Sequence, residues 1–264
     1  MTVRLSFVQM FIEFGKKERN LRRAHKLIYK IKEPDLIVLP ELFNTGYSFL
    51  SRSEVEKLSE DIYGPTIKSL TKLSGELSTC IVAGFAERSR DKIYNSAIVV
   101  YNGDLLGVYR KSHLFFLEKK YFDPGDTGFR VFRTRKFNLG IMICFDWIFP
   151  EAARTLALKR ADIIAHPANL VLPYAQTAML ARSIENRVYT VTANRIGIEV
   201  RGALKFKFTG QSQITTPDMK LVYRASEDKE EVFYTDVDIS KARNKRITDY
   251  NDIFEDRRTD LYFI

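Results

Sequence analysis

The chain has 264 residues, 45% hydrophobic and 28% charged, with a mass of 30.6 kDa and a pI near 9.4. That length supports one large α/β domain or two modest ones, either with a full core, and no apolar run is long enough to cross a bilayer. Two cysteines exclude a disulfide framework, and the net charge of +9 comes from 42 basic and 33 acidic residues that are interspersed, which reads as a solvated surface and argues against a nucleic-acid partner.

The N-terminus alternates like a strand over residues 3–10, with Val3, Leu5 and Phe7 on one face, and lacks a signal-peptide pattern, so a cytoplasmic location is expected. A helix over 16–32 carries Leu21, Ala24, Leu27, Ile28 and Ile31 at helical spacing and stops at Pro34. Residues 35–39 read as a buried strand, and Pro40 ends its ladder so that Glu41 falls just beyond the carboxyl end. Residues 48–63 read as a short helix or loop. Gly64 and Pro65 open the next helix, with Ile67, Leu70, Leu73 and Leu77 on its apolar face. Strands follow at 80–87, 94–101 and 105–111, the last two joined by Asn102 and Gly103, a two-residue hairpin signal that makes this part of the sheet antiparallel. A turn at Pro124 and Gly125 precedes a buried strand at 139–143, and a helix runs from Pro150 to about residue 159. Another apolar strand ends in HPAN, Pro173 starts a long helix, and YTVTANR returns as a strand. Residues 197–208 read as an irregular basic loop. Two more strands, SQITTP and EVFYTDVDI, precede a charged tail from Ser240 that ends in LYFI. Helices recurring between strands predict a single domain over 1–264, a mixed α/β structure with sheet inside and helices outside. The many charges of both signs also suit a thermophile rich in ion pairs.

Three reactive side chains fall at strand ends: Glu41, Lys111 and Cys144. A thiol placed where strand gives way to helix lies near backbone N–H groups and a helix N-terminus, and both favour the thiolate. Cys80, within TCIVAGFAE, reads as core. A cysteine nucleophile needs a proton acceptor, and its substrate needs positive charge where negative charge develops. Glutamate and lysine fill those roles. So does a Cys–His pair, and His113 and His166 stay open on spacing, whereas His25 reads as a surface residue of the first helix.

LPELFNTGY around Glu41, YRKSHLF around Lys111 and MICFDWIFPEAAR around Cys144 resemble, in order, the three signatures of the nitrilase superfamily of carbon-nitrogen hydrolases. HPAN at 166–169, ARSIENRVYTVTANR at 181–195 and the C-terminal ARNKR and NDIFEDRR extend the likeness over nearly the whole chain, and it is strongest to small archaeal nitrilase-like members. The resemblance implies a four-layer α-β-β-α sandwich, assembled as a homodimer or larger homo-oligomer through outer helices, with the tail from about residue 240 on a partner subunit. It implies Cys144 as nucleophile, Glu41 as general base, Lys111 as the cation of the tetrahedral intermediate and Glu118 as a second glutamate that orients the site. The Phe145 backbone N–H and Asn169 join the substrate and oxyanion contacts. No metal or organic cofactor is implied. The substrate implied is a small nitrile, amide or N-carbamoyl compound. Phe145, Asp146, Trp147 and Ile148 after the cysteine include no arginine, which weakens a carboxylate-bearing substrate. CFDWIFPEAAR is similar to the segment in N-carbamoylputrescine amidohydrolases, where Asp146 favours a neutral or cationic substrate unless it caps the next helix. The reading of a different class is a catalytically silent nucleic-acid-binding or scaffold protein that uses the basic surface.

Overall fold

The computed structural model describes residues 1–262; the last two residues of the aromatic end, Phe263 and Ile264, lie outside the described residues. In β1 (Thr2–Phe11), Val3, Leu5 and Phe7 face one apolar cluster while Val8 and Met10 face another, the alternation that a strand covered on both sides requires. α1 (Lys17–Ile28), β2 (Leu36–Val38), α2 (Arg52–Leu58) and α3 (Pro65–Glu76) follow, then β3 (Cys80–Ser89), β4 (Lys92–Tyr101) and β5 (Asp104–Arg110). β1, β2 and β3 are parallel neighbours, and β4 and β5 continue the sheet antiparallel. Asn102 and Gly103 both take positive φ, 50° and 88°, as the expected hairpin turn demands.

The short helix α4 (Glu118–Tyr121) leads to the second sheet. It contains β6 (Val131–Arg133), β7 (Asn138–Ile141), β8 (Ile163–Pro167) and β9 (Tyr189–Ala193), with α5 (Pro150–Leu158) and α6 (Ala175–Asn186) between the last three strands. β10 (Arg195–Ile196) returns to β1. β11 (Ile198–Arg201) and β12 (Leu204–Lys207) form a separate hairpin, and β13 (Gln213–Thr215) and β14 (Leu221–Arg224) extend the second sheet. β15 (Glu231–Asp238) then pairs antiparallel with β1.

The layers are helix, sheet, sheet, helix, the mixed α/β sandwich expected. Ala24, Leu27 and Ile28 of α1 and Ile67, Leu70 and Leu73 of α3 pack on Val8, Met10, Ile37 and Ile81 of the first sheet. Leu156 of α5 and Met179 of α6 belong to the cluster that also holds the facing residues of both sheets. Each of these large aliphatic side chains contributes about 1.5–3 kcal/mol on burial. Pro65 and Pro150 stand at the first turn of α3 and α5, where a missing N–H costs nothing. Cys80 is fully buried core, and burial pushes its thiol far above the ordinary range.

Residues 197–208 differ from expectation. They form the β11–β12 hairpin rather than an irregular loop, turning at Gly202, which has a φ of 57°. Its buried Glu199 pairs with Arg195 and accepts from the N–H groups of Tyr47 and Ser48, at 3.2 and 2.9 Å. Arg201 makes a two-pronged pair with Glu54 at 2.8 Å. The charged residues of this segment therefore tie the hairpin to the loop that follows Glu41. The tail begins as α7 (Ser240–Arg243) on this chain's own second sheet, with Arg243 on Asp162 at 3.1 Å and Lys245 Nζ on the carbonyls that end α6, at 2.8 and 3.0 Å. No helix among the described residues is long and apolar enough to cross a membrane.

Candidate active site

The carboxyl ends of β2, β7 and β8 deliver Glu41, Cys144 and Asn169, the edge where open α/β sheets gather ligands. After β2 the chain turns sharply through Leu42, at φ 47°, and Phe43 N–H bonds the Gly84 carbonyl at 3.0 Å. Gly84 allows this approach, because a Cβ there would lie 2.4 Å from Glu41 Cα. Lys111 stands one residue past β5, anchored by its N–H on the Asn95 carbonyl (2.8 Å) and by its own carbonyl, which accepts from Gly125 (3.0 Å). Glu118 opens α4.

These three side chains converge in the interior. Lys111 Nζ donates to Glu41 Oε1 at 2.7 Å and to both oxygens of Glu118 at 2.9 and 2.8 Å, and all three residues are at most 4% exposed. Asn95 Nδ2 donates to Glu41 Oε1 at 2.7 Å, and the Tyr47 hydroxyl to Glu118 Oε1 at 2.7 Å. Burial pushes Lys111 towards the neutral amine, but Glu118 and Glu41 outweigh it and raise its pKa above the ordinary value, so it stays an ammonium. Burial lifts Glu118, while Lys111 pulls the other way. Glu41 Oε2 is buried and has no hydrogen-bond partner among the described residues. One oxygen of this carboxylate is thus anchored and the other is free.

Cys144 begins a tight turn, Cys144–Ile148, with a φ of 42°, a strained value for a residue with a side chain. Its carbonyl lies 2.9 Å from Nε2 of the buried His166, whose Nδ1 faces Thr192 Oγ1 at 3.1 Å. Burial pushes the thiol well above its ordinary value; Glu41 raises it further, Lys111 lowers it, and Glu118 raises it again. The resting group is therefore a thiol: the place before a helix favours the thiolate, but desolvation, with the two carboxylates, outweighs it.

The histidine alternative also ends here. His166 holds the Cys144 carbonyl, His113 Nδ1 lies 2.7 Å from Asp146, and His25 lies 3.0 Å from Ser69. Burial pushes His166 down to about 4 from an ordinary 6.5, so it is neutral at pH 7 and its Nε2–H donates to the carbonyl. The folded value lies below the unfolded one, so the stability this group contributes is full above pH 6.5 and is lost as pH falls towards 4. Wild type is expected to lose on the order of 3 kcal/mol more than His166→Gln over that window. Denaturant titrations from pH 7 to pH 4 measure it, and parallel curves would contradict a neutral imidazole.

Asp146 does not face a substrate. It is fully buried and accepts from Ile143 N–H and the Tyr109 hydroxyl, both at 2.8 Å, and from His113. Asp146 thus caps its own turn, Cys144–Ile148, and not the next helix, α5, whose N-cap Phe149 makes no side-chain bond, and its oxygens are taken up by this chain's own groups. Around Cys144 a narrow cleft is walled by Phe115, Phe145, Trp147, Leu170, Val171 and Leu172, with Asn169 as its polar member. Asn169 Nδ2 donates to the Glu41 carbonyl at 3.0 Å, its Oδ1 has no partner among the described residues, and its backbone N–H faces the Cys144 thiol. The Phe145 ring packs 5.0 Å from Phe115. Sequence reasoning missed Asn95, Tyr47 and Gly84. Each left a signal: Asn95 as a polar residue opening the apolar run SAIVV of β4, Tyr47 as the end of LPELFNTGY and Gly84 as a glycine inside the strand TCIVAGFAE. Among the described residues no three His, Cys, Asp or Glu side chains are grouped to hold a metal ion.

The family model described as carbon-nitrogen hydrolase matches residues 4–247. The chain is 50% identical over 264 residues to a nitrilase of Pyrococcus abyssi, covering 99% of each. It is 35% identical over 267 residues to an N-carbamoylputrescine amidase of Solanum tuberosum, covering 93% of this chain and 86% of that one. Among solved structures, a carbon-nitrogen hydrolase from Helicobacter pylori G27 superposes with a TM-score of 0.88 at 27% identity, covering 99% of this chain and 97% of that one.

Proposed function

This chain belongs to the carbon-nitrogen hydrolase family, and we propose that it hydrolyses a non-peptide carbon–nitrogen bond in a small nitrile, amide or N-carbamoyl compound through a thioester on Cys144. One observation carries this reading: Glu41 is held through Oε1 by Lys111 and Asn95 and leaves Oε2 without a partner, in a carboxylate whose charge acts on the Cys144 thiol. Glu41 takes the thiol proton as sulfur attacks the substrate carbon. Lys111, kept cationic by its two carboxylates, and the Phe145 N–H stabilise the negative charge that develops. Collapse of the intermediate expels ammonia or an amine with the proton from Glu41. Glu41 then deprotonates the water that cleaves the thioester and regenerates the thiol. An amide consumes one water in this cycle; a nitrile consumes two, because addition to its triple bond gives a thioimidate that must first be hydrated. Glu118 holds Lys111 and Tyr47 in place.

The apolar wall and the filled valences of Asp146 support an uncharged acyl group as the part of the substrate bound beside Cys144. A carboxylate or ammonium there would be buried without a partner. Neutral short-chain primary amides or nitriles are therefore expected to exceed their ω-carboxylate and ω-ammonium counterparts by about 10²-fold or more in kcat/KM. Ammonia release across such a panel, with Cys144→Ala beside the wild type, tests both statements. A cationic N-carbamoyl amine as the best substrate would instead favour an activity like that named for the Solanum relative. The single domain over 1–264, a dimer or larger homo-oligomer with the tail from about residue 240 on a partner, and a cytoplasmic location belong to the same proposal.

A further inference from the structure

The site is assembled from two halves on different sheets. Glu41 follows β2, Asn95 lies in β4 and Lys111 follows β5, all in the first sheet; Cys144 and Asn169 follow β7 and β8 in the second. Lys111 can act on chemistry at Cys144 only while the halves keep their register, and apolar side chains between sheets fix position less sharply than directional polar bonds.

Two polar ties cross between the halves at the site. One is the bond from Asn169 to the Glu41 carbonyl. The other is centred on Asp146, two residues after Cys144. Its Oδ2 accepts from Ile143 N–H at 2.8 Å, which closes the nucleophile's own turn, and from the Tyr109 hydroxyl at 2.8 Å. Its Oδ1 lies 2.7 Å from His113 Nδ1 and accepts from His113 N–H at 3.3 Å. The Tyr109 hydroxyl accepts in turn from Ser112 N–H at 3.2 Å. One buried carboxylate therefore grips the Lys111 segment on both sides of the lysine while it caps the turn that starts with Cys144. Stacked rings back the arrangement, with Phe129 on Tyr109 at 5.7 Å and Phe149 on His113 at 3.7 Å.

We infer that Asp146 is a positioning residue that locks the Lys111 segment of the first sheet to the Cys144 turn of the second, working through Tyr109 and His113. This rests on the roles proposed above for Cys144 and Lys111. A cap needs only the bond to Ile143. The bonds to Tyr109 and His113 set the separation between the cation and the attacking sulfur.

Tyr109→Phe separates the two roles, because it keeps the ring and the cap and deletes one bond across the sheets; it also removes the hydroxyl's local bonds to Ser112, which Ser112→Ala, expected to leave the profile near wild type, controls for. It is expected to lower kcat about tenfold and Asp146→Asn about a hundredfold, with KM within about twofold, since misplacement of about 1 Å costs rates of that order. Because Tyr109 acts through Asp146, the double variant should be no slower than Asp146→Asn alone. Cys80→Ala, a remote core truncation, should lower the melting temperature and leave kcat unchanged. A second readout needs no substrate: the rate of Cys144 alkylation by iodoacetamide against pH, followed by peptide mass. Lys111 favours the ionised sulfur, so Tyr109→Phe should move that profile to higher pH. An unmoved profile in folded Tyr109→Phe would overturn the positioning role, whatever the panel shows. A moved profile without turnover of any panel member would keep the tie and count against the proposed reaction. If Asp146→Asn fails to fold, the Tyr109→Phe profile alone decides.

Discussion

Lys111→Ala is expected to abolish turnover and to destabilise the fold together. The ammonium bonds Glu41 and Glu118 in a dry interior. Its removal leaves two buried carboxylates facing each other, and breaking a buried pair in this way costs about 3–5 kcal/mol. One carboxylate will take up a proton to limit that cost. The catalytic loss is separate: removing an oxyanion donor costs about 10²–10³ in rate. Lys111→Met, which restores the volume without the charge, should show the same kinetic loss. Both variants should shift Cys144 alkylation to higher pH, because the largest nearby influence that favours the ionised sulfur has gone.

Glu41→Gln should lose turnover as completely and move the thiol the other way. The amide oxygen can still accept from Lys111 and Asn95, so the geometry survives, but no base remains, and about 10²–10⁴ in rate depends on such a group. The second-largest influence raising the Cys144 thiol is Glu41 itself. Its neutralisation should shift alkylation to lower pH, giving a variant whose sulfur reacts faster with iodoacetamide while amides and nitriles are no longer hydrolysed. Iodoacetamide profiles for the two variants that bracket wild type from opposite sides would show that the charges act as argued. Profiles displaced in the same direction would sink the electrostatic account.

Much of this is legible in the amino-acid sequence. The alternation of Val3, Leu5 and Phe7, the Asn102–Gly103 turn, Pro65 and Pro150 at helix starts, and Glu41, Lys111 and Cys144 at strand ends are local signals, written by backbone sterics and the two-residue and 3.6-residue periods. What stayed hidden depends on partners distant in sequence. The β11–β12 hairpin was masked because Arg201, Lys205 and Lys207 alternate with Val200, Leu204 and Phe206, and without its partners Glu54 and Tyr47 the segment reads as basic loop. Asp146 looked available to a substrate until Tyr109 and His113 were seen to fill it. The protonation of Cys144 depends on burial and on residues 41, 111 and 118 together, and no spacing encodes that balance.

The most direct test is the intact mass of enzyme quenched within the first turnovers on the best substrate of the panel. The account predicts a mass increase of one acyl group, mapping to the peptide that contains Cys144, absent from Cys144→Ala and accompanied in wild type by ammonia. Ammonia release that persists in Cys144→Ala, or an acyl group carried by another residue, would contradict it.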